Sequence, residues 1–145
     1  MNHSMVSDGI AALDRLYARA LRVCDDLETV ADTLPNPDRR FCRRLAIELD
    51  TTVAVVNRRE ESDLFPLLAE QAGAMVVARL REEHEQDHTA TAEIVRALVS
   101  ISRGRAIGSH EATGYMLRAY FLAVRRHIAF EQAMLASLKS VSEPR

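Results

Sequence analysis

Three short breaks interrupt the helical periodicity of this 145-residue chain, and their placement constrains the fold more than any single residue. Leu34-Pro35-Asn36-Pro37 closes one periodic segment, Gly73 closes a second, and the run from Ser102 to Ser109 separates a third from a fourth. Proline removes an amide donor and glycine costs backbone entropy, so both punctuate helices. The segments so defined cover roughly 8–34, 38–72, 74–101 and 110–140. Each carries apolar residues at spacings of three and four, the mark of one buried helical face. The first stripe reads Ile10, Leu13, Tyr17, Ala20, Cys24, Leu27, Ala31, Leu34, and the second Cys42, Leu45, Leu49, Val53, Val56, Glu60, Leu64, Leu67. The third is Val77, Leu80, His84, His88, Thr91, Val95, Leu98, and the fourth Leu117, Tyr120, Val124, His127, Glu131, Leu135, Leu138. Five glycines, four prolines and no tryptophan in a chain rich in Ala, Leu, Arg and Glu agree with helix throughout. Short connections force antiparallel neighbours, so the expected fold is all-α: an up-down-up-down antiparallel four-helix bundle forming a single domain over 1–145. Asn36 and Ser109 are the expected N-caps of the second and fourth helices, and Pro66 is expected to kink or end the second locally.

Charge excludes several classes of partner. A net charge of -2 and pI near 6.2 give no electrostatic basis for binding nucleic acid or an anionic membrane. The pairs Arg39-Arg40, Arg43-Arg44, Arg58-Arg59 and Arg125-Arg126 are interleaved with acids or apolar residues and read as solvated faces. No run approaches the roughly 18 apolar residues of a membrane span, and the N-terminal residues lack a basic stretch followed by an apolar one, so a cytoplasmic protein is expected. Cys24 and Cys42 form no CxxC pair and read as two buried reduced thiols.

Polar residues interrupt three of the four stripes. Glu60, His84, His88, His127 and Glu131 fall where a bundle buries its side chains, and an uncompensated charge there is costly. Heights can be compared by counting outward from each connection. Reflecting Tyr17 about the first break lands beside Val56; reflecting Val56 to Glu60 about Gly73 lands on Gln86 to Ala90; reflecting His84 to His88 about the third connection lands near Leu122 to His127. To within about one turn, ~5 Å, all five residues share one layer. His84 and His88 stand one turn apart, as do His127 and Glu131, a spacing at which two side chains can chelate one ion. Imidazole with carboxylate suits iron, zinc or manganese rather than calcium. Taken singly each residue has a plainer reading: a hydrogen-bonded core histidine, a glutamate paired with Arg58, Arg125 or Arg126, or members of a charged face. Their common height favours a metal site. His3 and His110 lie away from that layer.

The same residues resemble the hemerythrin-like, HHE cation-binding four-helix bundles. Glu60-Glu61-Ser62-Asp63-Leu64-Phe65-Pro66 looks like the EExxLFP signature of that family's second helix. His84-Glu85-Gln86-Asp87-His88 has the paired spacing of the third helix in oxygen-carrying members. Gly114-Tyr115-Met116-Leu117-Arg118, followed by Arg125-Arg126-His127-Ile128-Ala129-Phe130-Glu131, resembles the fourth helix of many bacterial members. The likeness runs from Leu13 to Leu138. It implies a non-haem metal held by Glu60, His84, His88, His127 and Glu131, iron foremost with zinc or manganese also suited, and a small diatomic ligand or peroxide as partner. The departures matter as well. Tyr17 and Val56 stand where the family usually places histidines of one of its two irons, so one ion is expected in preference to two, with Tyr17 a further candidate ligand or a core tyrosine. The competing expectation is a bundle with a decayed, metal-free site, acting as a homodimer or as an interaction module for another protein. No separate acid, base or nucleophile constellation assigns an enzymatic activity.

Overall fold

A computed structural model describes residues 3–105 and 108–142. All regular structure among them is helical: α1 (His3–Thr33), α2 (Arg39–Arg59), α3 (Phe65–Ala72), α4 (Ala74–Ser102) and α5 (His110–Ser142), with one π-helical turn, Glu60–Leu64, joining α2 to α3. Because α2, the π-turn and α3 follow one another without a loop, the chain builds four rods and closes them into a four-helix bundle. α1 packs against α2 and α5, and α4 against α2 and α3, whereas α4 and α5 touch least. None of the described helices is long and apolar enough to cross a membrane.

The expected stripes form the core. Leu13, Tyr17, Val56, Leu64, Phe65, Leu80, Ile128 and Leu135 belong to one buried cluster, and Leu27, Cys42, Leu45, Leu49, Leu98, Leu117 and Phe121 to another. Val124 packs against both. Cys24 and Cys42 are free and buried, and burial pushes each thiol up to about 11, which keeps them protonated and inert. Arg125 is tied to Asp25 and Glu28 across the α1–α5 seam at 2.8 Å each, and Arg118 meets Asp32 at 2.6 Å. Such exposed pairs add little to stability but align the two rods.

Two local expectations change. The N-cap of α2 is Asp38 and not Asn36: the Phe41 amide donates to Asp38 Oδ1 at 3.1 Å, while the Asn36 amide is spent on the Thr33 carbonyl at 2.8 Å in the preceding turn. Pro37 separates the two, and a residue before proline is pushed toward extended backbone, so the helix starts later. Ser109 does cap α5, accepting from the Ala112 amide at 3.0 Å. Pro66 sits in the first turn of α3, where its missing amide is harmless, and the distortion lies upstream of it. In an unbroken α-helix its ring would press on the carbonyl of Ser62. The π-turn, closed by the Phe65 amide on the Glu60 carbonyl, widens the backbone over that stretch.

Asp38→Ala should therefore destabilise the protein by about 0.5–2 kcal/mol, whereas Asn36→Ala should leave the denaturant unfolding midpoint nearly unchanged. Equal losses in the two variants would return the cap to the earlier residue.

Candidate metal centre

The site begins where α2 meets the π-turn. Glu60, one turn after Val56 on the apolar stripe of α2 and the first residue of the π-turn, is on the buried face, 2% exposed. α4 brings His84, 6% exposed, and α5 brings Glu131, 1% exposed. One ligating atom from each of Glu60, His84 and Glu131 lies within 4.8 Å of the other two. His84 Nε2 is 3.5 Å from Glu60 Oε1. One turn before Glu131 on the same helix, His127 sits with its Nε2 2.7 Å from Glu131 Oε1. Tyr17 on α1 is wholly buried and feels the charge of both Glu60 and Glu131.

Closeness has not produced hydrogen bonds. Tyr17 Oη, Glu60 Oε2, His84 Nε2, His127 Nε2 and Glu131 Oε1 are all buried without a hydrogen-bond partner. The His127–Glu131 contact is short enough for one, yet its atoms are not aligned for it. Side chains aimed at a common point, rather than at each other, give this pattern. Each such orphaned polar atom would cost about 1–3 kcal/mol if nothing filled the gap, and a cation among Glu60, His84 and Glu131, whose ligating atoms lie within 4.8 Å of one another, would answer those that these three contribute. The donor set of carboxylate and imidazole fits a metal ion of intermediate hardness.

His88 is not brought to this layer. It is exposed and lines an outer depression with Asn57, Glu61, Arg81 and the outer side of His84. The reason is phase. The buried residues of α4 include Val77, Leu80, His84, Thr91, Ile94 and Leu98, an alternation of three and four that is completed by position 87 and not by 88. Asp87 takes the inward place: it is partly buried, its Oδ2 is 4.0 Å from His127 Nε2, and it lines the same cavity as Glu60, His127 and Glu131. The sequence carried the signal, since continuing the alternation from Val77 and Leu80 passes through Asp87. The attraction of an i,i+4 histidine pair outweighed it. Val56, one turn before Glu60, is buried and lines that cavity too.

The electrostatics follow from burial and pairing. Burial raises Glu60 to about 8, against the pull of His84 and with the push of Glu131. Burial also pushes Glu131 up, but His127, Glu60 and Tyr17 together outweigh that and hold it below the usual range. Glu131 in turn raises His127 to about 9 despite burial. His84 is raised by Glu60 and Glu61 over an opposing burial effect. Burial and the two carboxylates push Tyr17 far up, so its phenol keeps its proton. Burial raises Asp87 against the influence of His127.

The sequence profile of the hemerythrin HHE cation-binding domain matches residues 8–138 of this chain. The chain belongs to that family. No curated protein and no solved structure matches it. The HHE family binds metal cations, and in this member the buried Glu60, His84 and Glu131 form a group that could hold one.

Without metal, the layer's shifted groups set a pH dependence. His127 is raised from 6.5 to about 9, so its contribution to stability is complete below the lower value and lost as pH rises through the upper one. Glu60, raised from 4.5 to about 8, acts with the same sign over its own window. Glu131, being lowered, is ionised throughout that range. The melting temperature of chelator-treated protein should fall steadily from about pH 6.5 to about pH 9, and His127→Gln should flatten the slope. A flat or rising profile for the unmutated chain would contradict these assignments.

Proposed function

We propose that this HHE domain holds one non-haem metal ion, iron in preference to zinc or manganese, and uses it to bind or sense dioxygen, nitric oxide or peroxide. Glu60, His84, His127 and Glu131 would hold the ion, with Asp87 at its edge in the place expected of His88. The single observation that supports the reading is the set of five buried donor atoms from α1, the π-turn, α4 and α5, all lacking partners at one layer. When bound, the metal would supply a Lewis-acidic, redox-capable centre. The chain's own residues set the surroundings. A cavity of about 510 Å³ between α4 and α5 reaches Glu60, His127 and Glu131 from the surface. Its walls include Val53, Val56, Ile94, Val124 and Ile128, which make the approach apolar and suit a small uncharged ligand. Tyr17, kept protonated, offers a hydroxyl donor at the same layer. The single ion follows from Tyr17 and Val56 standing in place of two histidines.

A second reading has its own support. Tyr115, Leu122 and Phe130 are exposed on α5 at spacings that place them on one side of the helix, as an interaction module with a metal-free site would require. A homodimer or another protein would be the partner in that case.

Elemental analysis of protein purified without added metal separates the two. About one metal per chain is expected. His84→Ala and Glu131→Ala should abolish retention, Asp87→Asn should weaken it, and His88→Ala should leave it intact. Because the ligands meet only in the folded bundle, free metal at 100 times Kd should add about 2.7 kcal/mol of stability. Protein that copurifies with no metal and melts identically with and without chelator would favour the interaction module.

A further inference from the structure

Glu60 and Glu61 are adjacent in sequence, yet both reach the same imidazole. His84 Nε2 faces Glu60 Oε1 at 3.5 Å, and His84 Nδ1 is hydrogen-bonded to Glu61 Oε1 at 3.2 Å. On a regular α-helix neighbouring side chains diverge by about 100°, which would turn one of them away. The π-turn begins at these two residues, and they bracket His84, one from the buried side and one from the half-exposed side, where the Glu61 side chain is 45% exposed.

We propose that Glu61 is a positioning residue that fixes the tautomer and direction of His84. A carboxylate has no proton to give, so in the Glu61–His84 hydrogen bond Nδ1 donates. In the neutral ring Nε2 then carries the lone pair. Nε2 is the nitrogen that faces Glu60, a member with His84 and Glu131 of the candidate ligand group, and it is buried with no hydrogen-bond partner. The ring is held from a further direction by Phe65, whose centroid lies 5.0 Å away, and Phe65 is itself covered by the Arg81 guanidinium at 5.4 Å. Glu61 thus acts through His84 and lies outside the group itself. A carboxylate behind a ligating histidine raises the basicity of the imidazole and sets its orientation. Only this functional consequence rests on the metal reading above; the tautomer does not.

The test uses Glu61→Ala and Glu61→Gln in the full chain, the glutamine keeping an oxygen that can accept from Nδ1. In metal-free protein, at a pH where the ring is neutral, two-bond proton–nitrogen correlation spectra report which nitrogen of His84 bears the proton. The unmutated chain and Glu61→Gln should hold the Nδ1–H form, and Glu61→Ala should move to Nε2–H or a mixture. Zinc affinity, measured by chelator competition, should fall about 10–100-fold in Glu61→Ala, with most of the loss recovered in Glu61→Gln. The melting temperature of the metal-free protein should barely change, since Glu61 is half exposed. The proposal is overturned if Glu61→Ala keeps both the Nδ1–H form and full zinc affinity. It is equally overturned if affinity and metal-free stability fall together, which would mark a structural role. Failure of the unmutated chain to bind either zinc or ferrous iron would sink the metal reading, and the tautomer measurement would still decide the role of Glu61.

Discussion

Burying carboxylates among aliphatic side chains is the constraint on which the rest of this molecule turns. Glu60 and Glu131 are nearly inaccessible, they lie on different rods, and the histidines beside them leave ring nitrogens and carboxylate oxygens without hydrogen bonds. A buried ion pair offsets its desolvation only when its remaining lone pairs are also satisfied. Here they are not, so the layer sits at higher free energy than the cores on either side. The bundle tolerates it because every rod contributes aliphatic or aromatic side chains to both apolar clusters.

Architecture was legible in the sequence because the information for it is local and repeated. Proline and glycine at three points, with stripes sustained over many turns, leave little freedom in the number or direction of the rods. Ser109 was legible as a cap for the same reason, being the one hydroxyl just before a long periodic run. Asn36 was not, because two prolines and an aspartate compete within four residues and only the three-dimensional path decides which oxygen meets the free amides. The candidate site was legible as a height and less so as an identity. Counting from the turns placed Glu60, His84, His127 and Glu131 together, but an error of one residue in helical phase exchanges Asp87 for His88. Chemistry that looks ligand-like invites that error, since histidine at i,i+4 is a familiar chelating pair and aspartate at i,i+3 is less conspicuous.

The π-turn links those levels. Pro66 makes a regular helix untenable near Ser62, and the extra backbone width that relieves the clash falls on Glu60 and Glu61. The widened turn upstream of the proline thus begins at the two consecutive acids that meet His84. Neither the proline nor the acidic pair, considered alone, announces that relation, which is why the sequence suggested a kink and the structure has a change of helical pitch.

The unequal contacts among the rods carry one more consequence. α1 is knit to α2 and α5, the latter also by arginine ties, and α4 is packed on α2 and α3, while α4 and α5 stand apart along the cavity that leads to the polar layer. Alanines at positions 90, 119 and 123 line that gap, so its walls are low as well as separated. Opening the bundle on this side breaks fewer contacts than opening it anywhere else. The layer is therefore enclosed by a rigid cup with one yielding side, and the path by which a molecule reaches it coincides with the path along which the fold would first come apart.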